Sequence, residues 1–180
     1  MKTRWGKFAA YFMNRTVVGL SLLVLLGCGA GCGSSQKRTF VRVGQLAPDF
    51  ALPDMEGNVV KLSDNRGEVV FLRFWADWCT NCKIEMPLIQ KKYLKLKDDG
   101  FRVLAINVKQ SKEVAAKFVR ELGLTYTILL DQKGTVYPEY GVIGLPTTFL
   151  IDREGVIREK ILGDLNEKNL TKVISKYFTQ

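Results

Sequence analysis

The stretch Val69-Val70-Phe71-Leu72-Arg73-Phe74-Trp75-Ala76-Asp77-Trp78-Cys79-Thr80-Asn81-Cys82-Lys83 decides how the chain folds. Its first half is apolar without alternation, as expected of a central strand buried on both faces. Its second half leads into a charged segment of helical spacing. Two cysteines separated by two residues therefore fall at a strand-to-helix junction. Reversible dithiol chemistry needs this arrangement: one thiolate attacks a disulfide and the second displaces the resulting mixed disulfide. Free N–H groups and the positive dipole end of a helix start favour the thiolate.

Elements can be placed outward from this junction. Residues 50–62 read as a hairpin around Asp54-Met55-Glu56-Gly57-Asn58. Residues 68–75 form the central strand. A helix runs from about Cys79 to Lys97, with Ile84, Leu88, Ile89, Leu94 and Leu96 as its apolar positions and Pro87 as a kink. Strands follow at 101–108 and 126–130, separated by a helix at 111–122. Strands at 147–151 and 156–162 flank a tight Asp152-Arg153-Glu154-Gly155 turn, and a last helix covers 166–178. Strands alternating with helices, then a hairpin, predict a mixed α/β sandwich.

The 180-residue length suits one domain plus a targeting segment. Four of the nine net positive charges lie in residues 1–27, where there is no acid, leaving +5 on the remainder. With no basic and aromatic stripe, nucleic-acid binding is not indicated. Residues 1–27 read as a secretion signal. The run from Val17 to Leu26 has 10 apolar or small residues, against about 20 for a spanning helix. Leu25-Leu26-Gly27-Cys28 resembles a bacterial lipobox, which makes Cys28 the candidate lipidation site. Cys32 after Ala30-Gly31 is a second candidate, and an uncleaved anchor or a non-lipid signal is the alternative. Residues 28–41 then form a lipidated tether, and 42–180 form the domain. The chain contains no histidine, which removes His-based metal sites and any Cys-His dyad.

Three stretches carry a family resemblance: Gly44-Gln45-Leu46-Ala47-Pro48-Asp49-Phe50, then Phe74 through Pro87, then Gly144-Leu145-Pro146-Thr147-Thr148-Phe149-Leu150-Ile151-Asp152. In this order they resemble the TlpA/ResA-like family of extracytoplasmic thiol–disulfide oxidoreductases. The resemblance implies a thioredoxin-like three-layer sandwich with a mixed central sheet and an N-terminal β-hairpin extension. It implies Cys79 as an exposed nucleophile, Cys82 as the buried resolving thiol, and Glu85 as a carboxylate exchanging protons with Cys82. It places Pro146 in cis opposite the dithiol, with the Leu145 backbone and the Trp78 side chain meeting substrate. No metal or organic cofactor is implied, because the dithiol carries the electrons. The partners implied are disulfide-bearing proteins outside the cytoplasm, such as apocytochrome c, and a membrane thiol-transfer protein as electron donor. A thiol peroxidase is a rival, since the opening motif is shared with peroxiredoxins, but their threonine-assisted single cysteine after a Pro-x-x-x-Thr pattern is missing. A copper chaperone would want histidine. A non-catalytic binding lipoprotein is the remaining rival.

Two positions depart from the family pattern. Asn81 stands where many relatives carry proline, so a reduction potential cannot be borrowed from them. Arg73 stands where close relatives often carry asparagine. If its side chain faces the dithiol layer, its buried charge needs a carboxylate, and Glu85 is the nearest candidate in sequence. Such a pair would keep Glu85 ionised and weaken it as a proton donor.

Overall fold

In the computed structural model, residues 41–178 are described; the signal segment, Cys28, Cys32 and nearly all of the tether lie outside them. Strands β1 (Ala51–Pro53) and β2 (Val59–Lys61) form a small antiparallel hairpin. Its turn is closed by the Asp54 carboxylate, which accepts the N–H groups of Glu56 (2.9 Å) and Asn58 (2.8 Å). The main sheet contains β3 (Val69–Trp75), β4 (Phe101–Val108), β5 (Thr127–Asp131), β6 (Thr147–Ile151) and β7 (Ile157–Leu162), in spatial order β5-β4-β3-β6-β7. β3, β4 and β5 are mutually parallel, while β6 runs antiparallel to both β3 and β7.

Helices α1 (Thr80–Leu96) and α2 (Lys112–Glu121) are the crossovers β3–β4 and β4–β5. Two successive right-handed crossovers in the same direction put both helices on one face of the sheet. That face is an apolar layer in which Phe71 and Trp75 of β3 meet Cys82, Met86 and Ile89 of α1, Phe118 of α2, and Leu170 and Ile174 of α4 (Glu167–Ser175). Val70, Leu72 and Phe74 alternate to the other face, where Phe50, Leu52, Tyr140 and Phe149 form a second layer. The opening motif packs there: Phe50 meets the Tyr140 ring edge-on, and the Tyr140 hydroxyl donates to the Pro48 carbonyl. The result is the three-layer thioredoxin-like sandwich with a hairpin extension, as the resemblance implies.

Two features differ from the expectations. A short helix α3 (Val136–Glu139) follows β5, in a segment where the sequence reading places no element. Asp131 creates it by accepting N–H groups from Thr135 (2.8 Å), Val136 (3.0 Å) and Tyr137 (3.0 Å), so one carboxylate satisfies three donors of the first turn. In α1, Ile84 and Leu94 face solvent, at 64% and 52% exposure. The buried stripe is Cys82, Glu85, Met86, Ile89 and Gln90, at spacings of three and four; Ile84 falls off it, and Leu94 lies beyond its last buried residue. A glutamate therefore occupies a core position directly after the cysteine pair.

Asp152 holds the β6–β7 turn by accepting the Val156 N–H (2.8 Å) and pairing with Arg158. Burial opposes its charge, but the hydrogen bond and the guanidinium outweigh burial and hold the carboxyl below its ordinary range. A depressed folded value means that this stabilisation is complete above about pH 4 and is lost as pH falls through the folded value. Asp152→Asn is therefore expected to lower the urea midpoint at neutral pH, with the gap from the unmodified chain closing near pH 3.

Candidate functional site: a dithiol over a buried ion pair

Cys79 caps α1 from an extended conformation, and its sulfur is bonded to that of Cys82. The Cys82 N–H also points at Cys79 Sγ, at 3.2 Å. The first sulfur thus meets a donor at the positive end of the helix, which favours negative charge there. Cys79 is 5% exposed rather than open, which corrects the expectation of an exposed nucleophile. The disulfide draws its sulfur toward fully buried Cys82, inside the apolar layer. The exposed member of the junction is Trp78, at 69%. Trp75 is core, stacked near Phe118 at 4.7 Å between ring centres.

The turn leading into the cysteines is braced from β4. Gln110 accepts the Asp77 N–H (2.9 Å), donates to the Asp77 carboxylate, and accepts from Asn107 (2.8 Å). From the opposite side comes β6. Its register pairs Thr147 with Phe74, so Pro146 comes level with Trp75, next to the cysteine turn. The Leu145–Pro146 bond is cis. Pro146 is buried, and its carbonyl accepts the Gly163 N–H (3.0 Å); Leu145 is half-buried against both apolar layers. Thr147 donates to the Gly144 carbonyl (2.6 Å), a structural use of its hydroxyl. Cys79, Cys82, Trp78, Leu145 and Pro146 thus gather at one end of the sheet.

Beneath the cysteines lies Arg73, fully buried, on the α1 side of β3. Its Nη2 meets Glu85 Oε2 at 2.5 Å, and Nη1 donates to Thr148 Oγ1 at 3.0 Å. The other Glu85 oxygen accepts the Leu165 N–H at 2.8 Å. The Arg73–Glu85 pair anticipated from sequence is therefore present. Burial pulls the guanidinium below its ordinary value and Glu85 opposes that pull; an arginine nevertheless keeps its charge in proteins. Tyr126, also buried, lies within electrostatic reach of Arg73; burial pushes its phenol up, leaving it neutral. Sequence reasoning did not find Thr148, Leu165 and Tyr126. Nor did it find the hydrogen bond from Asn81 to Asp164, which ties the residue between the cysteines to the loop before α4.

Among the described residues, no group of three or more His, Cys, Asp or Glu is placed to hold a metal ion. Comparison with known proteins matches residues 43–160 to the AhpC/TSA family model. The chain is 41% identical to the thiol-disulfide oxidoreductase ResA of Geobacillus thermodenitrificans, over 87% of this chain and 90% of that protein. The chain belongs to this family. Its ResA-like character extends to the Bacillus subtilis ResA, 35% identical over 85% of this chain and 86% of that protein. Among solved structures, the thioredoxin domain of a Bacteroides vulgatus thiol-disulfide oxidoreductase superposes with a TM-score of 0.69 at 29% identity, covering 76% of this chain and 98% of that one. This ResA-like chain is a thiol–disulfide oxidoreductase whose candidate redox pair is Cys79–Cys82.

Removing one partner of a buried ion pair strands the other. Glu85→Ala is expected to cost about 3–5 kcal/mol in urea unfolding. The apolar double replacement Arg73→Met/Glu85→Leu is expected to recover most of that loss, because it buries no charge.

Proposed function

We propose that this chain is a membrane-tethered, extracytoplasmic reductant of protein disulfides. The observation that carries the redox part is the Cys79–Cys82 disulfide at the start of α1, with the Cys82 N–H on Cys79 Sγ. The extracytoplasmic part rests on the signal-like residues 1–27, and the tether on the lipobox-like Cys28. Among the described residues, no helix is long and apolar enough to cross a membrane.

In the reduced chain, Cys79 thiolate attacks one sulfur of a substrate disulfide and releases the first substrate thiolate. A Cys79–substrate mixed disulfide results. Cys82 then gives its proton to Glu85 and attacks Cys79 Sγ. The Cys79–Cys82 bond forms as the bond to substrate breaks, and the second substrate sulfur leaves and takes up a proton. Two electrons pass from the dithiol to the substrate disulfide. Trp78 offers an exposed apolar wall to an unfolded segment, and the Leu145 backbone, placed by Pro146, pairs with that segment as an added strand. Pro146 has no N–H to compete for that pairing. A thiol-transfer protein of the membrane restores the dithiol. Apocytochrome c, whose haem-attachment cysteines must be reduced, is the substrate class that the family resemblance supports.

The test is equilibration of the purified chain with a thiol buffer. A reductant is expected to show a reversible two-electron couple below about −220 mV. A value above about −150 mV would make the chain an oxidant or isomerase, and no couple at all would leave a binding module. Cys79→Ser is expected to abolish exchange. Cys82→Ser is expected to stop at a substrate-linked mixed disulfide, visible by mass spectrometry.

A further inference from the structure

A glutamate one turn past Cys82 can help exchange only in the correct charge state. An isolated buried carboxyl tends to keep its proton, because desolvation disfavours the anion. A protonated Glu85 could not accept a proton from Cys82. Glu85 is 4% exposed. The pair with Arg73 opposes this, with one oxygen at 2.5 Å from the guanidinium and the other fixed by the Leu165 N–H. Thr148 orients the guanidinium from the neighbouring strand. Tyr126, just before β5, lies within electrostatic reach of Arg73 and is a neutral phenol, and Cys82 shares the buried stripe of α1 with Glu85. Asp164, next to Leu165, is turned to Asn81.

We propose that Arg73 is a positioning residue of the exchange site: its guanidinium keeps Glu85 anionic and in one place, ready to accept the Cys82 proton across neutral pH. This rests on the exchange chemistry proposed above and extends it. The balance is simple. The Cys82 S–H proton moves to a Glu85 oxygen as Cys82 Sγ bonds to Cys79 Sγ, the substrate sulfur leaves with the electron pair, and Glu85 then returns its proton to solvent or to that sulfur. Because Arg73 stabilises the anion, Glu85 accepts this proton only transiently. The pH dependence of resolution is then set by the thiols, without a second ionisation at the carboxyl.

The experiment follows resolution of a preformed mixed disulfide by stopped-flow across about pH 5 to 8 in the full chain, in Arg73→Asn and in Arg73→Lys. In Arg73→Asn the carboxyl loses its countercharge and holds its proton. Resolution at the acid end is expected to fall by about tenfold or more, with a new inflexion in the profile. Arg73→Lys keeps a cation and is expected to restore the original shape. If Arg73 only fills space, Arg73→Asn lowers thermal stability but its profile stays parallel to the unmodified chain, and the proposal is wrong. Should Arg73→Asn not fold, carbon-13 NMR of the Glu85 carboxyl in the unmodified chain decides. A constant carboxylate signal across the same range supports the proposal, and a half-protonated carboxyl within it overturns it. Absence of any reversible dithiol couple would instead sink the exchange reading, and the NMR result would still judge what Arg73 does to Glu85.

Discussion

An arginine buried in the middle strand of a sheet leaves its surroundings little choice. The guanidinium carries a permanent charge and five donors into a low-dielectric layer, where unmatched donors are costly; Nη1 and Nη2 find partners, while the buried Nε has none. Arg73 enlists α1 through Glu85 and β6 through Thr148, and Glu85 in turn enlists the loop before α4 through the Leu165 N–H. The helix that bears the cysteines is thus held to its sheet by an ionic contact as well as by Met86 and Ile89. A hydrophobic contact tolerates sliding, because it has no direction. A carboxylate fixed at both oxygens does not slide, and Cys82 lies one turn away on the same buried stripe.

The electrostatics divide along the depth of the site. At the surface end, Cys79 meets the N–H groups and dipole of the helix start, which favour a thiolate. At the buried end, Cys82 adjoins a charge pair that is neutral in sum. The two sulfurs therefore differ in surroundings although they share one turn of helix, a difference that fits the attacking and resolving roles proposed for them. Trp78 lies outside this gradient, exposed beside Cys79.

Much of this was legible in the residues. The uninterrupted apolar run before Cys79 marks the central strand. The cysteine spacing marks the junction, and Gly144-Leu145-Pro146 marks the β6 end that faces it. Arg73 announced itself because a charge amid Val69–Trp75 demands a carboxylate partner, and Glu85 was the candidate for it. Other features were not legible because they depend on groups without a sequence signature. Any residue has an N–H like that of Leu165. Asp131 looks like an ordinary strand-end acid until three donors converge on it. Ile84 reads as core by type but faces solvent, because Glu85 takes the buried slot that an apolar residue would otherwise fill. The burial of Cys79 likewise follows from where its sulfur is bonded, which residue type does not reveal.

The Leu165–Glu85 contact spans 80 residues and the Arg73–Thr148 contact spans 75. The charge cluster beneath the cysteines is therefore assembled from segments far apart in the chain, and no fragment ending before Leu165 contains it. A chain emerging thread-like from a translocation channel would display both cysteines long before Leu165 arrives. Until then the dithiol is an ordinary pair of thiols, without its anchored helix or its committed carboxylate. The anchored form of the redox centre is thus complete only once the chain up to Leu165 has folded onto β3 and α1.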